Sequence, residues 1–267
     1  MSIAWVGRLL AALGFCAVLA APAALLAAPE EIQVYMDELN RPGEIGLDIH
    51  NSYVLSGERD SGYIGEQPSV HRYRITPEFS LGLSSAFELG AYLPLATIDH
   101  HGVFVDGIKL RLKYIAPHEK DSHWFYGANF EIGRVDHRLD ENPYNAELKG
   151  IVGTHQGKWT LAANANLDFK VSGPASAPAS VEIATKANYL VSSKTAIGVE
   201  NYSGVGTLRR FGRFADSEQS TFVTVDTAIG RWDLNVGVGR GYGTDRDRWI
   251  AKAIVSVPLD WFVVHSS

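Results

Sequence analysis

Three cationic side chains occupy alternate positions between residues 109 and 114. The run reads Lys-Leu-Arg-Leu-Lys-Tyr, so Lys109, Arg111 and Lys113 share one face of a β-strand and the apolar side chains share the other. Acidic side chains hold matching positions in the neighbouring runs, Glu88 before it and Glu131 after it. A cationic row between two anionic rows can pair charges across strands or bind charged solutes. Either chemistry requires strands that enclose a polar interior.

The same parity continues along the chain and collects most alternating charges on one face. A Lys or Arg costs roughly 2–4 kcal/mol at the middle of a lipid-facing wall, so we predict that this face turns inward. Two interpretations stay open: the charges line a solute path, or they pair with one another and fill the lumen. The predicted lumen-lining residues are Arg72, Arg74, Glu78, Glu88, Lys109, Arg111, Lys113, Glu131, Glu147, Lys149, Glu182, Lys186, Glu200, Asp226, Asp233 and Lys252, and Asp48, Asp168 and Lys170 share their parity.

Other groups are weaker candidates for chemistry. His100 and His101 follow Asp99, but a histidine pair without further spaced ligands is more typical of a solvated loop than of a metal site. The glycines of residues 237–241 superficially resemble a phosphate-binding loop, yet no Lys-Ser or Lys-Thr pair completes it. No Gly-x-Ser-x-Gly nucleophile elbow is present. We predict no metal, no cofactor and no enzymatic activity.

The charged face must be carried by strands, and the sequence divides into about twelve alternating segments. Examples are Ile45 to Val54, Val70 to Leu83 and Trp124 to Val135. Connections after the second, sixth, eighth and tenth segments are short, whereas most others, including a polar loop at residues 99–102, are longer. This pattern predicts an all-β fold, a single antiparallel transmembrane β-barrel of about 12 strands. Aromatic residues near segment ends fit an interfacial girdle: Tyr73, Tyr114, Trp159, Tyr189, Trp232 and Trp249.

The amino-terminal residues are typical of an export signal. A basic residue precedes an apolar run rich in Ala and Leu that ends in small residues, as in a cleaved secretory signal peptide. An uncleaved membrane anchor is the alternative. The predicted organisation is a signal peptide over residues 1–27, a periplasmic leader over residues 28–44 and an outer-membrane barrel over residues 45–267. Cys16, the single cysteine, falls within the signal, so the exported chain would contain no thiol.

Charge and hydropathy limit the partners. The net charge of -6 argues against a nucleic-acid binder, which would carry a basic patch. No further apolar run of roughly 18 residues follows the signal, so no transmembrane helix is predicted. The predicted partner is the outer-membrane lipid bilayer of a Gram-negative bacterium. The small-molecule solute and the oligomeric state stay undetermined.

Three stretches carry a likeness to a known family. Residues 76–83, Thr-Pro-Glu-Phe-Ser-Leu-Gly-Leu, and residues 87–95, Phe-Glu-Leu-Gly-Ala-Tyr-Leu-Pro-Leu, form a hairpin that resembles proteobacterial outer-membrane proteins related to the phenol-degradation meta-pathway family. The run at residues 109–114 resembles the next strand of those proteins. The resemblance implies an outer-membrane transporter whose solutes could be hydrophobic or aromatic, and it implies no particular functional residues.

These patterns predict a passive conduit or porin-like transporter for small solutes. A closed, ion-paired barrel with a structural or surface role is the first alternative. A soluble periplasmic β-protein is the second, and it would need a second sheet to bury the apolar face.

Overall fold

The computed structural model describes residues 31–99, 102–117, 119, 122–174 and 178–259. The signal peptide predicted over residues 1–27 and the pair His100 and His101 lie outside these residues. A 3-10 turn covers Phe214–Asp216. The strands are β1 Ile45–Ser56, β2 Tyr73–Gly82, β3 Phe87–Asp99, β4 Gly102–Ile115, β5 Trp124–Val135, β6 Tyr144–Gln156, β7 Trp159–Ser172, β8 Ser180–Leu190, β9 Thr195–Thr207, β10 Arg210–Phe211, β11 Glu218–Ile229, β12 Trp232–Gly243 and β13 Trp249–Pro258.

The strands close into a barrel. Each of the long strands pairs antiparallel with two neighbours, β1 pairs with β13, and β8 pairs with β9, so the sheet has no open edge. β10 is a two-residue strand that pairs with the end of β9, which leaves twelve strands in the wall. The prediction of about twelve antiparallel strands is confirmed. Closure satisfies the backbone hydrogen bonds of the wall within the wall itself, as a lipid environment requires.

Within the described ranges, no helix is long and apolar enough to cross a bilayer.

The two ends of the barrel differ in their connections. One end, which we call the short-turn rim, carries the turns at residues 83–86, 157–158, 191–194 and 230–231. The other end, the long-loop rim, carries the connections at residues 57–72, 136–143, 173–179, 208–217 and 244–248. β1 begins and β13 ends at the short-turn rim. In outer-membrane barrels such short turns face the periplasm and the longer loops face outward.

Two sequence predictions about connections are wrong in detail. The polar loop expected at residues 99–102 is absent as a long loop, because pairing continues until Asp99 lies opposite Gly102 and leaves only residues 100 and 101 between β3 and β4. The second strand begins at Tyr73 rather than Val70. His71 has φ 60, a left-handed backbone conformation that an extended strand cannot contain.

Strand parity sets the two faces of the wall. In β4, Leu110 is 51% exposed on the outer face, whereas its neighbour Arg111 is 4% exposed on the inner face. Lys109 and Lys113 are buried on the same side as Arg111. A slip of one residue would turn these three cations toward hydrocarbon at roughly 2–4 kcal/mol each near the midplane. The alternation therefore fixes the register of the wall.

Aromatic pairs mark the short-turn rim on the outer face. The rings of Trp159 and Tyr189 lie 4.9 Å apart there, as do those of Phe87 and Tyr114. Aromatic rings of this kind favour the boundary between hydrocarbon and headgroups. They mark the edge of the apolar band at this rim.

Candidate functional site: the occupied lumen

The interior of the barrel carries a dense set of charges. Four predicted residues are less buried than the rest: Glu147, Glu182 and Asp226 are partly buried, and Asp233 is exposed at the short-turn rim. The remaining residues of the predicted lumen set are buried side chains: Arg72, Arg74, Glu78, Glu88, Lys109, Arg111, Lys113, Glu131, Lys149, Lys186, Glu200 and Lys252. Buried charges persist in proteins when they are paired, so the pairing decides what this interior can do.

Arg111 is the centre of the first ion cluster. Its Nε lies 2.5 Å from Glu78 Oε1, and its Nη2 donates to Glu88 Oε1 at 2.8 Å. His50 Nε2 lies 3.2 Å from the other oxygen of Glu78. The cluster thus connects β1, β2, β3 and β4. Removing one member of such a buried set typically costs about 3–5 kcal/mol, because its partners stay buried without compensation.

Residues 31–44, which precede β1, form what we call the leader segment. Residues 31–40 lie inside the barrel, and residues 41–43 are exposed at the short-turn rim. Val34 and Tyr35 are both only 2% exposed. The Tyr35 backbone N–H donates to Asn164 Oδ1 at 2.6 Å, and Asn164 Nδ2 donates to the Tyr35 carbonyl oxygen at 2.9 Å. One amide side chain of β7 therefore holds the leader backbone in the way that a neighbouring strand would.

Wall lysines hold two more leader carbonyls. Lys113 Nζ donates to the Glu38 carbonyl oxygen at 2.7 Å, and Lys252 Nζ donates to the Ile32 carbonyl oxygen at 2.9 Å. Charge-assisted hydrogen bonds of this type are stronger than neutral ones. Because β4 and β13 are separate parts of the wall, these bonds stretch the leader segment across the lumen.

The side chain of Tyr35 is surrounded by charges of both signs. Its hydroxyl lies 2.8 Å from the Tyr92 hydroxyl, which donates to Glu31 Oε2 at 2.7 Å. Lys149 Nζ lies 4.1 Å from the Tyr35 ring centroid and 3.5 Å from Glu31 Oε1. A cation over an aromatic face is attracted to it, and more strongly where water is excluded. Tyr35 therefore joins the leader segment to the charged wall through both its ring and its hydroxyl.

Glu200 is the centre of a second ion cluster on the opposite side of the lumen. It pairs with Lys252 and, at 3.2 Å, with Lys186. Tyr202 donates its hydroxyl to Glu200 at 2.7 Å. Lys186 also pairs with Asp226 at 3.1 Å. This cluster connects β8, β9, β11 and β13, and it contacts the leader through Lys252.

Two cavities lie along the lumen. The inner cavity, of about 630 Å³, reaches the short-turn rim at Lys194 and Arg231. The outer cavity, of about 70 Å³, lies below the long loops and is bounded by Ile32. The two cavities have no lining residue in common. Glu200 and Lys252 line neither of them, so this ion pair and the leader segment separate the two spaces.

The long loops carry their own charges above the outer cavity. Arg246 Nη1 donates to both carboxylate oxygens of Glu66, at 3.0 and 3.1 Å. Burial raises the pKa of Asp245 to about 7 and also raises the pKa of Asp247. Burial lowers the pKa of Arg72 to about 10. Asp245 therefore changes charge near neutral pH at the long-loop rim.

Three potential metal ligands meet at the leader segment. Ligand atoms of Glu31, His50 and Glu78 lie within 4.8 Å of one another. Arg111 pairs with Glu78, however, and Lys149 pairs with Glu31. Protein cations thus occupy the positions that would neutralise these carboxylates, and the arrangement favours ion pairing.

The position of the leader segment is the main feature that no sequence pattern indicated. Three of the contacts that hold it use backbone atoms of Ile32, Tyr35 and Glu38, and backbone atoms carry no residue-type signal. The side chain that receives the leader, Asn164, has the inward parity predicted for its strand, but many inward residues share that parity.

Comparisons with known proteins bear on the fold. No protein-family model and no curated protein matches the chain. The KdgM porin shares 13% identity over 79% of this chain and 97% of its own, with a TM-score of 0.52. The COG4313 outer membrane channel from Pseudomonas putida F1 shares 14% identity over 86% of this chain and 100% of its own, also with a TM-score of 0.52. The likeness to the phenol-degradation meta-pathway family is not confirmed. The fold is that of an outer-membrane β-barrel.

Proposed function

We propose that this protein is a passive, porin-like conduit for small solutes in the outer membrane, narrowed by its own leader segment. Export by a cleaved signal peptide belongs to the same proposal. The two structurally similar proteins are a porin and an outer-membrane channel, which supports the proposal.

The observation that carries the proposal is the inner cavity and the segment that lines it. The cavity holds about 630 Å³ and reaches the short-turn rim. Leader residues such as Gln33, Met36 and Asn40 line it, and the leader segment belongs to no strand of the barrel. Non-covalent contacts, such as those of Asn164 and Lys113, hold the leader in place. A barrier of this kind can move without unfolding the wall.

The lining favours polar solutes. Charged side chains of both signs meet in the inner cavity, including Lys186, Lys194, Asp226 and Arg231. These charges attract small polar or charged molecules. The lining also has an apolar part, which includes Met36, Leu39 and Leu234, so the cavity offers apolar contact as well.

A closed barrel is the second candidate function. The pairing of Glu200 with Lys252 and Lys186 near the middle of the lumen favours it, because the cluster fills space between the two cavities. In that case the loops at the long-loop rim would carry the function.

Planar-bilayer recordings of the purified protein test the proposal. We expect discrete current steps and an ion preference that moves toward cations when Lys194 and Arg231 are both changed to Glu. Both residues are exposed, so the fold should tolerate the change. A matched double change of Arg59 and Arg209 to Glu, outside the inner cavity, should leave the preference unchanged. Absence of current steps both in the unaltered barrel and in a barrel lacking residues 31–40 would favour the closed barrel.

A further inference from the structure

A basic and aromatic hairpin stands at the long-loop rim between β9 and β11. Its apolar side chains are exposed, with Phe211 at 67% and Phe214 at 61%. Arg209 and Arg210 directly precede Phe211, Arg213 lies between the two phenylalanines, and all three arginines are exposed. Free apolar side chains beside basic ones are unusual for a loop that faces only water.

The charges of this hairpin are unmatched. Among the described residues, no ion pair is formed by Arg209, Arg210 or Arg213. Asp216 is the only acidic residue in the connection at residues 208–217. The hairpin therefore presents guanidinium groups that are available to an outside partner.

The hairpin has a defined conformation. β10 pairs with the end of β9, and the Gly212 N–H donates to the Val205 carbonyl oxygen at 2.9 Å. The Phe214 ring lies 5.9 Å from that of Tyr242 on β12. A surface that is already ordered loses less conformational entropy when it binds.

A polar patch lies directly below the hairpin on the outer face of the wall. The Tyr242 hydroxyl lies 2.9 Å from Thr221 Oγ1 and accepts from Asn201 Nδ2 at 3.1 Å. Arg240 extends over the Trp249 ring at 5.8 Å. Hydroxyl, amide and guanidinium groups on this face suit the headgroup level of a bilayer rather than its hydrocarbon centre. The patch and the hairpin together form one surface.

We infer that this surface binds the phosphate groups of a phosphorylated lipid headgroup in the outer leaflet. The inference rests on the proposed outer-membrane location. The planar fork of a guanidinium matches phosphate oxygens in pairs, which favours arginine over lysine at such sites. Phe214, which lies beside Tyr242, would add apolar contact with the lipid at the headgroup level. Charge complementarity and the position at the long-loop rim select this occupant.

Binding of purified diphosphorylated lipid A to the refolded full-length barrel in detergent tests the inference. We expect the triple change Arg209→Gln, Arg210→Gln and Arg213→Gln to weaken binding at least tenfold. A control that removes three exposed charges from the short-turn rim, Arg41→Gln, Lys194→Gln and Arg231→Gln, should change binding less than twofold. Lipid A without phosphates should bind the unaltered barrel at least tenfold more weakly.

Equal binding by the triple variant and the unaltered barrel would overturn the inference, as would equal binding of phosphorylated and dephosphorylated lipid. Inorganic phosphate that displaces the lipid at low millimolar concentration would also overturn the assignment to a lipid, because a free anion would then suffice. The same triple variant should keep its bilayer current steps. A barrel that conducts but fails to bind the lipid would contradict only this inference, whereas a barrel that binds the lipid without conducting would contradict only the proposed conduit.

Discussion

Replacing Asn164 with leucine should release the leader segment. The change keeps the side-chain size similar and removes two hydrogen bonds, those between the amide of Asn164 and the backbone of Tyr35. A hydrogen bond contributes about 0.5–1.5 kcal/mol net, so the two together give about 1–3 kcal/mol. Since 1–3 kcal/mol corresponds to roughly a 5-fold to 150-fold change in a population, the released fraction should rise by that factor.

Thiol labelling measures that fraction directly. Cys16 is the single cysteine, so a protein expressed without residues 1–27 and carrying Gln33→Cys has one thiol. The rate at which a membrane-impermeant reagent labels this thiol should rise with release, and the fraction of time spent conducting should rise in parallel. Asn166→Leu is the matched control, because Asn166 lies on the same strand and donates to Glu182 rather than to the leader. Equal labelling rates and equal conduction for Asn164→Leu and the unaltered barrel would refute the reasoning.

Three further predictions follow from the charges. Arg111→Met should lower the free energy of unfolding by about 3–5 kcal/mol, because Glu78 and Glu88 stay buried without their cation. Urea titrations of barrels in vesicles measure this loss. Arg134→Met, on the exposed outer face, is the control and should change the free energy of unfolding by less than about 1 kcal/mol. Equal losses for the two variants would contradict the cluster. The folded protein holds the Asp245 proton up to about pH 7, whereas an unfolded chain loses it near pH 4. The free energy of unfolding should therefore fall as pH rises from about 4 to about 7, and Asp245→Asn should make this fall smaller. An unchanged pH dependence in the Asp245→Asn variant would contradict the prediction. His155→Ala should increase the labelling rate of the Gln33→Cys thiol less than Asn164→Leu does. His155 pairs with Asp37 at 3.1 Å, and an exposed ion pair of this kind contributes little to stability. A larger increase for His155→Ala than for Asn164→Leu would show that the Asp37 contact, and not the Asn164 contact, holds the leader.

Much of the wall follows from local sequence pattern. The alternation of Lys109 to Tyr114 fixes which face turns inward, since the energetic penalty for the opposite choice applies to each cation. The strand limits are less accurate where backbone conformation intervenes, as at His71, or where pairing extends into a polar connection, as at Asp99. The limit at His71 depends on a single backbone angle, and the limit at Asp99 depends on pairing with the next strand.

The contacts inside the lumen follow less directly from the sequence than the wall does. Parity identifies Glu200 and Lys252 as inward residues, but which acid pairs with which base depends on how β9 and β13 come together after closure. The position of the leader segment is harder to predict, because Ile32 and, in part, Tyr35 are held through backbone atoms. The pattern of residue types predicts the barrel and the charges on its inner face, but it does not predict that the leader segment lies in the lumen.

The most direct measurement of the central claim compares single-channel conductance of the unaltered barrel with that of a barrel lacking residues 31–40. Residues of this segment line both cavities, Ile32 the outer one and most of residues 33–40 the inner one, so its removal should widen the space between them. We expect larger and longer current steps from the shortened barrel than from the unaltered one. Identical conductance in the two proteins, with both folded in vesicles, would contradict the claim that the leader segment limits passage through the lumen.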